Sequence, residues 1–180
     1  TITVISQDRS YQVPPPYTTF ASTPFSPVIR HTFDAAGFTN PTPTQAQTWP
    51  IAVTGKDIIT VAKTGSGKTC GFLLPAFHRL TTQLRDRRRG PPAILVLAPT
   101  RELACQIEEE SNKFGRSSNI RSCCCYGGAP KSMQIRKIQG GVEVLIATPG
   151  RLNDLLEMNV VSLSQVCFLV LDEADRMLDM

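Results

Sequence analysis

Ala62-Lys63-Thr64-Gly65-Ser66-Gly67-Lys68-Thr69 stands between an apolar run at 57–62 and a stretch of helical character that begins at Thr69. Glycines at 65 and 67 let successive backbone N–H groups curl around an anion without Cβ clashes. A helix that starts directly afterwards aims the positive end of its dipole at the same point. Lys68 adds a cation and Thr69 a hydroxyl, so the octet reads as a phosphate-binding loop, a strand–loop–helix element. That element predicts an α/β fold.

Working outward, four further runs rich in Val, Ile and Leu lie at 93–98, 120–126, 142–147 and 166–171. They lack polar alternation, as expected of strands covered on both faces of a parallel sheet. Helical stretches at 69–83 and 101–114, the second stopped by Gly115, complete a βαβ series. No fixed-period repeat is present, which removes solenoids and propellers. Upstream, Pro14-Pro15-Pro16 marks an extended leader over 1–19. Ser26-Pro27 predicts a capped helix carrying Val28, Ile29 and Phe33, with Gly37 as its stop. A second helix is expected from Thr42-Pro43 toward Gly55, bent or broken at Pro50, which has no N–H to donate.

A length of 180 residues supports one domain with a real core, and 41% hydrophobic with 19% charged residues excludes disordered, collagenous and coiled-coil classes. The longest apolar runs fall far short of the roughly 18 residues that a membrane span requires. The first residues have neither the basic flank nor the apolar core of a secretory signal. The missing initial Met and a helix cut in mid-turn at 176–180 suggest imposed boundaries. Most of the net charge of +4 comes from Arg85-Asp86-Arg87-Arg88-Arg89. Before Gly90-Pro91-Pro92 this run reads as a solvated loop, with a nucleic-acid patch as the alternative. Of the six cysteines, three are consecutive, so neighbours point to opposite sides of a strand and cannot share a chelating site. They read as small buried hydrophobes of a reducing, intracellular compartment, nucleus or cytoplasm.

At the end of the last apolar run stand Asp172 and Glu173. Carboxylates at the C-terminal end of a parallel strand sit where α/β sheets bind ligands. Asp172 can hold hydrated Mg²⁺, and Glu173 can orient and deprotonate an attacking water. Taken alone, the pair also suits a plain helix cap.

Read together, these segments resemble a known family. Phe20, the stretch Gly37-Phe38-Thr39-Asn40-Pro41-Thr42-Pro43-Thr44-Gln45, the octet 62–69, Pro99-Thr100-Arg101-Glu102-Leu103-Ala104, Gly127-Gly128, Thr148-Pro149-Gly150-Arg151 and Asp172-Glu173-Ala174-Asp175 are similar to the ordered motifs of DEAD-box RNA helicases. Thr44 departs from the aliphatic residue usual before the glutamine. The resemblance implies a RecA-like P-loop NTPase domain, a mostly parallel sheet flanked by helices on both faces. It divides the chain into a leader (1–19), an adenine-recognition segment (20–55) and a RecA-like ATP-binding domain (56–180) that is incomplete at its C-terminus, with the second helicase domain absent.

It also implies the site. Gln45 would read adenine, whose edge suits an amide with donors and an acceptor; Phe20 would stack on the base, or simply anchor the leader. Ala62, Lys63, Thr64, Gly65, Ser66, Gly67, Lys68 and Thr69 would hold the phosphates of ATP, and Thr69 and Asp172 would hold Mg²⁺, partly through water. Lys68, Asp172 and Glu173 would be catalytic. Pro99, Thr100, Arg101, Gly128, Thr148, Pro149, Gly150 and Arg151 would line an RNA path gripped by its backbone without sequence reading. Asp175 would couple the cleft to the second domain. Expected partners are RNA, that second RecA-like domain and regulatory proteins, with no membrane. The implied activity is ATP-dependent RNA unwinding or remodelling, with the 180 residues alone nearly inactive. Other P-loop NTPases and an RNA-binding adaptor of the same fold are the competing classes. Gln45 in its Pro-Thr context argues against the first, and intact Lys68, Thr69, Asp172 and Glu173 against the second.

Overall fold

The computed structural model describes residues 2–83 and 90–180. The arginine run at 85–89 lies outside the described residues. The chain divides into two units, 1–82 and 83–180, so the phosphate-loop octet groups with the segment before it.

Aromatic packing organises the first unit. Ser26 caps helix α1 (Pro27–Ala35), its hydroxyl accepting from the Ile29 N–H, and Phe33 on that helix is buried. Helix α2 (Pro43–Ala52) begins with a capping box in which Thr42 and Gln45 exchange side chain–backbone hydrogen bonds. Its Trp49 is fully buried and donates from Nε1 to the Cys70 carbonyl of helix α3 (Lys68–Gln83) at 3.1 Å. Phe20 stacks on Phe33 at 4.2 Å, and Phe25 meets Trp49 edge-on at 5.0 Å. Ring pairs of this kind contribute about 0.5–1.5 kcal/mol each beyond the area they bury.

The expected break at Pro50 does not occur: α2 runs through it. Pro50 cannot supply the N–H that would bond to the Ala46 carbonyl. The leader supplies a substitute, because the Tyr17 N–H donates to Ala46 O at 2.9 Å. The Gln47 amide in turn donates to Pro14 O, so the end of the leader is tied down along α2.

The expected strand at 57–62 does not form either. It belongs to no ladder among the described residues, and Ile59 and Val61 are 94% and 96% exposed. A strand is defined by a hydrogen-bonded neighbour, and β-branched content alone does not create one.

In the second unit, strands β1 (Ile94–Leu97), β2 (Ser122–Cys125), β3 (Val144–Ala147) and β4 (Phe168–Leu171) form a parallel sheet of order β2-β3-β1-β4. Leu97, Cys125 and Ala147 lie in one register row, which Leu171 extends. Between the strands run α4 (Arg101–Gly115), α5 (Lys131–Gln139) and α6 (Pro149–Glu157), and α7 (Ala174–Leu178) follows β4. On one side of the sheet Leu95, Cys123, Cys125, Leu145 and Ala147 pack with Ile138 of α5 and Leu152 and Leu155 of α6. Side chains of opposite parity, such as Ile94, Val96 and Ile146, are also buried, and α4 packs against β2 and β3. Burial on both faces explains the lack of polar alternation in β1, β2 and β3; in β4 the expectation fails on one face, where Leu169 and Leu171 are more than half exposed.

Cys123 and Cys125 bring their sulfurs to 3.7 Å on the same face. Cys124 lies across the strand from them, and burial pushes its thiol pKa upward. Cys70 is buried as well, whereas Cys167 is exposed. No described helix is long and apolar enough to cross a membrane.

Candidate functional site

The octet 62–69 curls at the start of α3, which Lys68 opens. Gly65 and Gly67 take φ of +78° and +83°, a region that residues with a Cβ enter at a cost. The Ser66 N–H closes the turn on Lys63 O. The Ser66 hydroxyl is buried without a hydrogen-bond partner among the described residues, and no carboxylate lies in the first turn of α3. A buried orphan hydroxyl, two left-handed glycines and a cation at a helix start fit an anionic phosphate group.

Gln45 and Thr42 hold the loop from behind. The Thr42 hydroxyl donates to Ser66 O at 2.8 Å and the Gln45 amide donates to Gly67 O at 3.2 Å, while Gln45 Oε1 accepts from the Thr42 N–H. The capping box of α2 is therefore also a latch on the phosphate loop, which the sequence did not reveal. Phe20 is 7% exposed and stacked on Phe33, and Gln45 is equally buried. The aromatic ring of this segment that keeps a solvent-facing side is Phe38, 47% exposed and edge-on to Phe33.

In the second unit all four strands are parallel, so the residues that follow them emerge at one edge. After β1 come Pro99 and Thr100, whose hydroxyl caps α4 by accepting from the Leu103 N–H. Exposed Arg101 follows, its guanidinium 4.9 Å over the ring of Tyr126. After β2 come Tyr126 and exposed Gly127 and Gly128. After β3 come Thr148, Pro149 and Gly150 at the start of α6, where the Thr148 side chain makes no capping bond. Arg151 differs from its neighbours: it is only 7% exposed, with its guanidinium engaged by Gln134 and the Ala129 carbonyl.

After β4 come Asp172 and Glu173. Glu173 stands at φ 51°, ψ 50°, a left-handed conformation that costs a residue with a side chain about 1–2 kcal/mol. Its N–H donates to Asp172 Oδ1 at 3.1 Å, and its carboxylate pairs with Arg176 at 2.7 Å. Asp175 lies in the first turn of α7. The hydroxyl of Thr69 and the carboxylate of Asp172 are hard oxygen donors of the kind Mg²⁺ takes. No group of three or more His, Cys, Asp or Glu side chains able to hold a metal occurs among the described residues. Tyr126, Gln134 and Arg176 were not singled out by sequence, because each is marked by the neighbour it touches and not by a recognisable motif.

A phosphate loop opening a helix, and a parallel sheet whose C-terminal edge ends in paired carboxylates, define a RecA-like P-loop domain. The chain belongs to the DEAD/DEAH box helicase family, whose model matches residues 42–180. It is 59% identical over 169 residues to DEAD-box ATP-dependent RNA helicase 14 of Arabidopsis thaliana, covering 94% of this chain and 27% of that protein. It is 57% identical to DEAD-box ATP-dependent RNA helicase 40 of Oryza sativa subsp. japonica, covering 99% and 22%. Among solved structures it resembles the RNA helicase Prp28 from Chaetomium thermophilum bound to ADP, with a TM-score of 0.85 and 37% identity over 93% of this chain and 41% of that one. The chain thus spans about a quarter of the length of these curated relatives.

Proposed function

We propose that the chain is the ATP-binding part of an ATP-dependent RNA helicase, which hydrolyses ATP to ADP and phosphate and remodels short RNA duplexes or RNA–protein complexes. The observation that carries this reading is the shared edge of the sheet. Residues after Leu97, Cys125, Ala147 and Leu171 emerge in register, so the arginine, glycine and threonine groups that suit a phosphate backbone lie on the same edge as the acidic pair.

The roles divide by residue. Residues 62–69 wrap the phosphates, and Lys68 supplies the cation for the β and γ groups. Gln45 spends one donor and one acceptor on the latch; its second N–H and second lone pair suit an adenine edge, so base recognition would report directly to the phosphate loop. Thr69 and Asp172 are the residues for Mg²⁺, which when bound neutralises phosphate charge. Glu173 orients the attacking water and accepts its proton. Thr100, Arg101, Gly128, Thr148, Pro149 and Gly150 face the RNA backbone, Pro99 is buried beneath them at the end of β1, and Asp175 couples to a second RecA-like domain of the parent protein. Regulatory proteins and a nuclear or cytoplasmic setting complete this reading.

The test is RNA-stimulated ATP hydrolysis by the full-length parent. Removing the base in Glu173→Gln should lower turnover by about 10²–10⁴-fold with nucleotide and RNA binding retained, and Lys68→Ala should abolish it. Full turnover in Lys68→Ala, equal use of GTP, or no stimulation by RNA would overturn the assignment.

A further inference from the structure

Two buried polar side chains grip the loop that carries Gly127 and Gly128. The Arg151 guanidinium donates from Nη1 to Gln134 Oε1 at 2.8 Å and to Ala129 O at 3.2 Å, and from Nη2 to Ala129 O at 3.3 Å. Its Nε forms a 3.5 Å ion pair with Asp154 Oδ2, too long for a hydrogen bond, and has no hydrogen-bond partner among the described residues. Asp154 itself pairs with Lys131 at 3.0 Å. Gln134, 6% exposed, donates from Nε2 to Tyr126 O at 3.1 Å. The loop is thus held at both ends, at Tyr126 by α5 and at Ala129 by α6. Gly128 between them takes φ +78°. Tyr126 then presents its ring beneath Arg101.

A guanidinium whose side chain is 6% exposed, with three of its five N–H groups bonded to protein oxygens, presents little to a phosphate. We propose that Arg151 and Gln134 are positioning residues for RNA. They fix residues 126–130, and through Tyr126 the aim of Arg101, without touching the nucleic acid. This inference rests on the RNA reading of the sheet edge. It separates a group that acts through shape from groups that act through charge.

Salt dependence distinguishes the two. Each phosphate contact to single-stranded nucleic acid contributes about 0.7 to the slope of log affinity against log salt. The experiment measures binding of a fluorescent oligouridine RNA to the full-length protein with a non-hydrolysable ATP analogue, across a salt series. Gln134→Met and Arg151→Gln should each weaken RNA binding roughly 5- to 30-fold, the cost of releasing buried hydrogen bonds, with the slope unchanged. Arg101→Ala should lower the slope by about 0.7.

Nucleotide affinity without RNA should match wild type in Gln134→Met, which a general folding defect would not allow. If Arg151→Gln does not fold, Gln134→Met carries the test, since it leaves the Arg151 bonds to Ala129 in place. A slope lowered by about 0.7 in Arg151→Gln, or wild-type RNA affinity in Gln134→Met, would overturn the proposal while leaving the RNA reading intact. Failure of the wild-type protein to bind RNA would overturn both.

Discussion

Replacing Gly67 with alanine would drive a methyl group into the latch between α2 and the phosphate loop. The new Cβ would meet the Gln45 amide nitrogen and lie 2.9 Å from Thr42 Oγ1 and 3.0 Å from Gln45 Cδ. The backbone at this position, φ +83°, itself costs a residue with a Cβ about 1–2 kcal/mol. Relief of the overlap would move Gln45 and Thr42 away from Gly67 O and Ser66 O. That loses two hydrogen bonds worth about 0.5–1.5 kcal/mol each. Together the substitution should destabilise the first unit by about 2–5 kcal/mol.

Gly71, one turn further into α3, provides the control. A Cβ there meets nothing within 4 Å, so Gly71→Ala should stabilise the helix by about 0.5–1 kcal/mol. Trp49 is the sole tryptophan of the chain and fully buried in the first unit, so urea unfolding followed by its fluorescence reads both variants. A double-mutant cycle isolates the cause. If the amide is the obstacle, Gly67→Ala should cost at least about 1 kcal/mol less in a Gln45→Ala background. Additive effects, or a Gly67→Ala midpoint that moves with Gly71→Ala, would refute the latch.

Two other perturbations follow from the same unit. Phe20→Ala removes a buried ring and should cost about 3–5 kcal/mol with little direct effect on nucleotide affinity in whatever protein remains folded. Phe38→Ala should change stability by under about 0.5 kcal/mol and weaken adenine-nucleotide binding, as titration with a fluorescent ADP analogue would show; the reverse pattern would return the stacking role to Phe20. Burial holds the His78 pKa in the folded protein below its ordinary value of 6.5. Charging it therefore favours the unfolded chain. Its contribution to stability is full above pH 6.5, falls as pH drops from there toward the lower folded-state value, and is flat below. Urea midpoints measured across that window should decline less in His78→Gln than in wild type.

How much of this was legible in the sequence depends on where each property resides. The turn of the octet 62–69 and the helix that follows it were readable because glycines at fixed spacing along the chain set the backbone there. The parallel sheet was readable because apolar runs without alternation admit few arrangements other than a covered parallel sheet; its strand order β2-β3-β1-β4 was not. Properties that depend on a neighbour distant in sequence were not. Residues 57–62 have strand composition but no ladder among the described residues, and composition cannot supply a partner. Pro50 reads as a bend or break in α2, yet the helix runs through it, and the carbonyl it leaves open, Ala46 O, accepts from Tyr17 of the leader. Gly115 ends α4 as read, but the reason for a glycine there is distant: a Cβ would lie 3.1 Å from Ile120, where the chain returns after a 3₁₀ turn and a reversal at Asn119.

The site shows the same division at finer scale. A motif fixes which residue stands at 20, 45 or 151, and does not fix which way its side chain faces. For Gln45 the orientation is set by Thr42 and Gly67, for Phe20 by Phe33, and for Arg151 by Gln134 from a different helix. Arg101 and Arg151 would look equivalent to any count of basic residues near a phosphate backbone. One lies exposed over an aromatic ring, and the other is buried against carbonyl oxygens. On the proposed RNA reading, electrostatic attraction comes from the first and shape from the second. The charge of a motif is therefore a weaker guide to its contact with nucleic acid than the number of its donors already committed to protein.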